Sequence, residues 1–388
     1  MDRNSKATVN SIFSDYAGLY MKKGCTTDYE KKIIRAISIC RTEELGGRKE
    51  YCSHCGYVQT LYNSCRNRHC PLCQFMKKEK WILDKKSEVL PYQYFHVVFT
   101  IPKELNRIMY HNRRVMYKYF FDTVKQTLFE ILCDKKYLGA ETGFFGILHT
   151  WGQKLNLHPH IHCVIPGGGY RKDKNKWIHA SKNFLVSKDV LGPKFMYNFL
   201  TGLKKLYNDK EIKVEENSEY FQKQIIDKLF NVKWVVYLKE SFKNSDSVIE
   251  YLSRYTHRIA ISNYRIKKVE NDKVHFEYRD YKRDNKKFIL VMPVLKFMRF
   301  FCMHIVPYRF VRIRYYGILS HRNKANKIKE CYNFYELKMK HEKIKLSWGE
   351  VYSLATGNDV TICRECKKGR MILYEYIVPK NRGSTKII

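Results

Sequence analysis

The chain has 388 residues, room for two or three domains, and its 73 lysines and arginines against 38 acidic residues leave a formal net charge of +35. That charge points to a polyanionic partner, above all nucleic acid, with an anionic membrane surface as the alternative. The longest apolar stretch, FILVMPVLKFMRFF, is interrupted by Pro293, Lys296 and Arg299; no bilayer span, signal peptide or lipidation motif is read, so a cytoplasmic protein is expected.

The first 45 residues read as helical: TTDYEKKIIRAISIC opens on a threonine start signal and carries spaced apolar positions at Ile33, Ile34, Ile37 and Ile39. Five of the 13 cysteines then fall between residues 52 and 73. Without a secretory signal, such clustering favours metal over disulfides. Cys52-Ser-His-Cys55 and Cys70-Pro-Leu-Cys73 each grip an ion from a tight turn, and the short strands between them are expected to bring Cys52, Cys55, Cys70 and Cys73 onto one structural zinc. His54, Cys65 and His69 are spare candidates. Arg48, Lys49, Arg66, Arg68, Lys77, Lys78 and Lys80 edge this module, and cations around a zinc ribbon most simply hold phosphates, with Arg66 and Arg68 as the expected DNA contacts; a protein-contact ribbon is the alternative.

A basic helix leads to Pro91, YQYFHVVFTIP reads as a buried strand, and residues 104–137 as one or two amphipathic helices. TGFFGILHTWGQ and HIHCVIPGGG then look like two strands about a short turn. Alternation points His160 and His162 to one face and Ile161 and Cys163 to the other. Two imidazoles one pleat apart can chelate a metal ion; His158 shares their parity but is expected in the turn beside Pro159. On the preceding strand Gln153 is the expected third ligand and His149 its rival.

Residues 194–230 read as helical, KWVVYLKE as a strand, and RIKKVENDKVHFEYRDYKRDNKKFILVMP as strands with polar turns. Between them NSDSVIEYLSRYTHRIA opens on a capping box, Ser247 with Glu250. Tyr251 and Tyr255 follow, four apart on a face that also carries Val248, Leu252 and Ile259. They are either core tyrosines or two phenols presented to the metal. A phenol is a weak nucleophile until a cation assists it; a metal on His160 and His162 would polarise a scissile phosphate. Arg254, His257 and Arg258 would neutralise phosphate charge, or else are solvated surface. In FVRIRYYG, Arg312 and Arg314 share a strand face expected to hold the DNA backbone, or else belong to an ordinary half-exposed strand.

Taken together, YCSHCG with SCRNRHCPLCQ, TWGQKLNLHPHIHCVIPGGG, YLSRYTHRIAISN and FVRIRYYGILSHRNK resemble, in order, the two-tyrosine HUH transposases of bacterial rolling-circle insertion sequences, over residues 50–325. The resemblance implies an α+β architecture: a zinc-ribbon-like, helical DNA-binding domain (1–90), an HUH nuclease with a central antiparallel sheet flanked by helices (91–325), and a basic C-terminal tail (326–388). By position, His160 and His162 match the histidine pair and Tyr251 and Tyr255 the nucleophiles. It implies single-stranded DNA at element ends as substrate, a 5′-phosphotyrosine with a free 3′-hydroxyl, and catalytic magnesium or manganese beside the zinc, without a small-molecule cofactor. Imidazole ligation fits manganese better. A plasmid replication initiator or relaxase and a non-catalytic zinc regulator are the alternatives. Such a protein would be bacterial and nucleoid-associated when bound to DNA. The last pair, Cys363 and Cys366 in TICRECKKGRM, resembles the half-ribbon near the ends of relatives; no nearby cysteine or histidine completes it, and its metal status is open.

Overall fold

The computed structural model of the chain describes residues 7–24, 26–86, 88–90, 93–171, 173, 176–181, 185–215, 217–242, 248, 259–320, 322, 324–334 and 346–380. The chain begins with two helices, α1 (Val9–Lys23) and α2 (Asp28–Ser38). Both open on a threonine whose hydroxyl accepts from the backbone N–H three residues on, Thr8 from Ser11 and Thr27 from Glu30, with the reciprocal bond closing a capping box. Ile33, Ile34 and Ile37 are buried, whereas Ile39 is the residue that ends α2. Strands β1 (Gly47–Cys52) and β2 (Val58–Tyr62) form a hairpin, and α3 (Pro71–Lys86) follows directly from Cys70.

Strand β3 (Tyr94–Thr100) leads to α4 (Asn106–His111) and the long α5 (Arg113–Leu132). Next come β4 (Gly143–Trp151), β5 (Leu157–Pro166), the small hairpin β6 (Gly168–Arg171) and β7 (Lys176–His179), α6 (Lys188–Asn208) and β8 (Val236–Phe242). A meander of β9 (Ile266–Glu270), β10 (Lys273–Asp280) and β11 (Lys286–Pro293) precedes the helix Val294–Cys302, and β12 (Ile313–Gly317) follows.

The centre is a five-stranded antiparallel sheet in the order β12-β4-β5-β3-β8. Its two faces follow from strand parity. On one, Phe95, Val97 and Phe99 of β3, Phe144 and Leu148 of β4 and Ile161, Cys163 and Ile165 of β5 pack on Phe120, Phe121 and Leu128 of α5 and Phe195, Phe199 and Leu203 of α6. Each such ring removed from water contributes about 1.5–3 kcal/mol. Gly146 lets α5 approach: a Cβ there would lie 3.1 Å from Phe121. The opposite face carries the histidines of β3, β4 and β5. Beside them a smaller buried cluster gathers Phe145, Ile147, Val164, Tyr94, Val248 and Ile318.

A second core joins α1 and α2 to β9–β11 and the helix Val294–Cys302, through Phe13, Ile34, Phe276, Phe297 and Phe301. The N-terminal region therefore shares its interior with residues 259–305. The described residues 346–380 do not trail away either. The helix Trp348–Thr356 packs on α3, and strand β13 (Met371–Ile377) pairs antiparallel with β1, giving the three-stranded order β13-β1-β2. The segment 1–90 and the C-terminal segment are thus paired, because β1 offers an edge that β13 fills. The fold is α+β. Among the described residues no helix is long and apolar enough to cross a membrane.

Candidate active site and metal centres

Strand register sets the site. In the β4–β5 pair His149 lies opposite His160, and Ile147 opposite His162. All three imidazoles share the sheet face away from α5, and their ligand nitrogens fall within 4.8 Å of one another. His149 and His162 are buried, His160 partly so. The ring centroids are 4.7 Å apart for His149–His162, 4.9 Å for His160–His162 and 5.4 Å for His149–His160. Trp151 stacks on His149 at 4.4 Å.

Hydrogen bonds orient two of these rings. His160 Nδ1 is 2.7 Å from the His158 carbonyl, which can only accept, so Nδ1 carries the proton and coordination falls to Nε2. His162 Nδ1 is 3.0 Å from Nε2 of the buried His96 on β3, their rings stacked, which turns His162 Nε2 to the same task. Metal-bound histidines are commonly fixed in this way through their second nitrogen. Burial, with His158 adding, pushes the His160 pKa down to about 4, keeping the ring neutral as a ligand must be. Three neutral imidazoles suit a transition-metal dication better than magnesium.

Gln153, the expected third ligand, has its amide engaged elsewhere. It sits in the β4–β5 turn, donates to Tyr281 Oη at 2.9 Å and accepts from the Arg279 N–H at 3.5 Å, pinning the turn to the β10–β11 hairpin. The turn takes Gln153 beyond the β4 register, and it is His149 that lies within reach of His160 and His162. His96 was missed in the sequence because it stands in an apolar run whose partner lies 66 positions away.

Tyr251, Arg254, Tyr255 and Arg258, with the capping pair Ser247 and Glu250, lie outside the described residues. Val248 is buried in the cluster with Ile147 and Val164, and Ile259 in the cluster with Trp151.

The cysteines regroup. Cys40, Cys65, Cys70 and Cys73 form one quartet; Cys52, Cys55, Cys363 and Cys366 form another. Thus Cys52 and Cys55 do not gather with Cys70 and Cys73, and the spare Cys65 and the unconsidered Cys40 complete the first set. The physical reason is the β1–β2 hairpin, which carries the first pair to its tip and leaves the second at its base. In the first quartet Cys40 and Cys65 each lie 3.6 Å from Cys73 through sulfur. Four sulfurs about 2.3 Å from zinc lie about 3.8 Å apart, whereas a disulfide needs about 2.05 Å. Asn10 Nδ2 donates to Cys70 Sγ at 3.4 Å, as does the Cys65 N–H to Cys40 Sγ. His69 joins neither quartet: it is buried, accepts from the Val306 N–H, and is held neutral by burial and by Arg312 and Arg68.

Of the expected DNA contacts, Arg66 is exposed. With Arg41, Arg48, Lys77, Tyr62 and Trp348 it lines a cleft of about 950 Å³ on the zinc module. Arg68 instead turns inward and donates to the Phe310 carbonyl at 2.6 Å. Arg314 lies over Phe121 and Phe310, on the sheet face opposite the histidines, and Arg312 is partly buried near Arg68, where burial pushes its pKa down to about 9. Odd-numbered Ile313 and Tyr315 take the histidine side of the sheet.

Residues 12–101 match a family model described as "Transposase zinc-binding domain", and residues 143–327 one described as "Putative transposase". The chain is 35% identical over 376 residues, 95% of its length and 94% of the relative's, to "Putative transposase y4qJ" of Sinorhizobium fredii. This chain belongs to the IS91 family of transposases. It is also 27% identical, over 78% of its length and 73% of the relative's, to "Transposase for insertion sequence element IS801" of Pseudomonas savastanoi pv. phaseolicola. No solved structure matches. The Cys40 quartet lies within the matched zinc-binding segment, and its spacing fits structural zinc in the transposase.

Proposed function

We propose that this transposase cuts and rejoins single-stranded DNA at insertion-sequence ends by the HUH route, with His149, His160 and His162 holding a divalent metal ion and Tyr251 and Tyr255 as nucleophiles. The convergence of three imidazoles on one sheet face, two with their Nδ1 atoms engaged, carries this reading. Manganese suits the all-imidazole set. When bound, such an ion polarises the scissile phosphate and stabilises the developing charge.

The flanks of the tyrosine segment support the assignment. Val248, three residues before Tyr251, is buried with Ile147 and Val164, neighbours of His149 and His162 on their strands. Ile259, four after Tyr255, is buried in the same cluster as Trp151, which stacks on His149. In the reaction a tyrosine Oη bonds to phosphorus, the P–O3′ bond breaks, and the phenolic proton passes through solvent to the departing 3′ oxygen. The phosphotyrosine bond conserves the phosphodiester energy, so a 3′-hydroxyl can reverse the step without a nucleotide cofactor. Arg66 and the cleft around it would track phosphates, while Tyr62 and Trp348 offer rings for unstacked bases.

The test is incubation of the full chain with an end oligonucleotide and manganese, resolved on a denaturing gel. A covalent protein–DNA band is expected for the wild type. It is expected to vanish in the Tyr251→Phe/Tyr255→Phe double variant, with oligonucleotide binding retained. Cleavage by that double variant would sink the nucleophile assignment.

A further inference from the structure

We propose that Cys52, Cys55, Cys363 and Cys366 hold a second, surface zinc ion that clamps the C-terminal strand onto the N-terminal module. Cys363 and Cys366 lie outside both matched segments, 12–101 and 143–327, so neither family model accounts for this site. The proposal is independent of the nuclease chemistry.

Distances come first. Cys52 Sγ lies 3.6 Å from Cys366 Sγ, and Cys55 Sγ 3.8 Å from Cys363 Sγ. These match the edge of a zinc–sulfur tetrahedron, about 3.8 Å, and not a bonded pair.

The backbone around each pair repeats. The Cys52 N–H donates to the Tyr57 carbonyl at 2.8 Å, and the Cys363 N–H to the Gly369 carbonyl at 2.9 Å. Gly56 N–H returns to the Cys52 carbonyl at 3.1 Å, and Lys367 N–H to the Cys363 carbonyl at 2.9 Å. The residue after each second cysteine is left-handed, Gly56 at φ 70° and Lys367 at φ 56°. For a lysine that conformation is costly and persists only where the surroundings impose it. Backbone N–H groups point at sulfur: His54 to Cys52 at 3.4 Å and Gly369 to Cys366 at 3.4 Å. Two copies of one metal-gripping turn therefore face each other, from segments 308 positions apart between Cys55 and Cys363.

The halves are also stitched directly. Ser53 N–H donates to the Arg370 carbonyl at 2.9 Å, and Arg370 N–H to Ser53 Oγ at 3.1 Å. A Cβ on Gly369 would lie 2.5 Å from Cys52 Sγ and 2.6 Å from the His54 Cβ. Only glycine permits this approach of the two turns. The paired strand β13 runs on from there along β1, from Cys52 opposite Met371 to Gly47 opposite Ile377.

The two quartets differ in access. All four sulfur-bearing residues of the Cys40 set are buried, whereas Cys55 is exposed and Cys366 partly so. The second ion should leave to a chelator faster than the first.

Zinc in the purified full chain is measured by elemental analysis, and the cobalt-substituted protein by its thiolate-to-cobalt absorbance. Two zinc ions per chain are expected. The Cys363→Ser/Cys366→Ser variant should retain one, lose about half of the cobalt absorbance, and expose the 357–380 segment to protease. Gly369→Val, which keeps every cysteine, should release one zinc to a chelator at least tenfold faster than the wild type. A single zinc in the wild type, two zinc ions in the double variant, or a Cys52–Cys366 disulfide by mass would overturn the proposal. Unchanged chelator kinetics in Gly369→Val would overturn the facing-turn geometry.

Discussion

His149, Gln153 and His96 separate coordination from support. An imidazole at 149 meets two others, and an amide at 153 holds a turn. His149→Ala is expected to lower manganese affinity and metal-dependent cleavage by about 100-fold or more. Gln153→Ala should lose only hydrogen bonds, about 1 kcal/mol of stability, and keep the metal. His96 touches the site only through His162, so it is a positioning residue: His96→Ala should weaken metal binding by roughly 10–100-fold, and His96→Asn, which can still accept from Nδ1, should restore part of it. Calorimetric titration with manganese checks all four variants. A metal affinity that depends on Gln153 and not His149 would reverse the assignment.

The β4–β5 hairpin is the element that presents the site, and a buried histidine fastens its turn. His304 donates from Nε2 to the Leu155 carbonyl at 3.0 Å, and its Nδ1 accepts from Thr150 Oγ1 at 3.1 Å. Leu155 is itself left-handed, at φ 62°, and buried. Burial pushes the His304 pKa down to about 4, from an ordinary value near 6.5. The unfolded chain therefore binds a proton between these pH values that the folded chain refuses. The contribution is complete above about pH 6.5 and is lost as pH falls toward 4, at most roughly 3 kcal/mol. Urea midpoints should drop steeply from pH 7.5 to 4.5. His304→Phe should be less stable at pH 7.5 yet lose less on acidification; an unaltered pH slope would show that another group governs the loss. Helix caps and strand parity at this scale were legible in advance: Thr27 begins α2, and His160 and His162 share a face, because both depend on residues two to four positions apart. The Tyr251 segment lies outside the described residues and adds nothing to that comparison.

Across the whole molecule, the zinc module is joined to the central sheet through shared cores and a few inward-turned side chains. Arg68 and Arg66 illustrate the division. Arg68→Ala strands the Phe310 carbonyl and should lower unfolding stability by about 1–3 kcal/mol. Arg66→Ala should change stability by less than about 0.5 kcal/mol, weaken oligonucleotide binding, and reduce the salt slope of that binding by about one. Denaturation and salt-dependent fluorescence anisotropy measure the two effects. The opposite pattern would exchange their roles.

The amino-acid order by itself determined the basic character, the alternation of the histidines and the presence of metal-gripping cysteine turns, since charge, strand period and tight-turn chemistry are local properties. Tertiary structure decided which ligands meet. Cys52 and Cys55 join Cys363 and Cys366, His149 meets the histidine pair while Gln153 bonds Tyr281, and Arg314 falls on the helix-covered face. Each of these depends on strand pairing and hairpin reach, which bring together groups up to 314 positions apart, and no short-range pattern carries that distance.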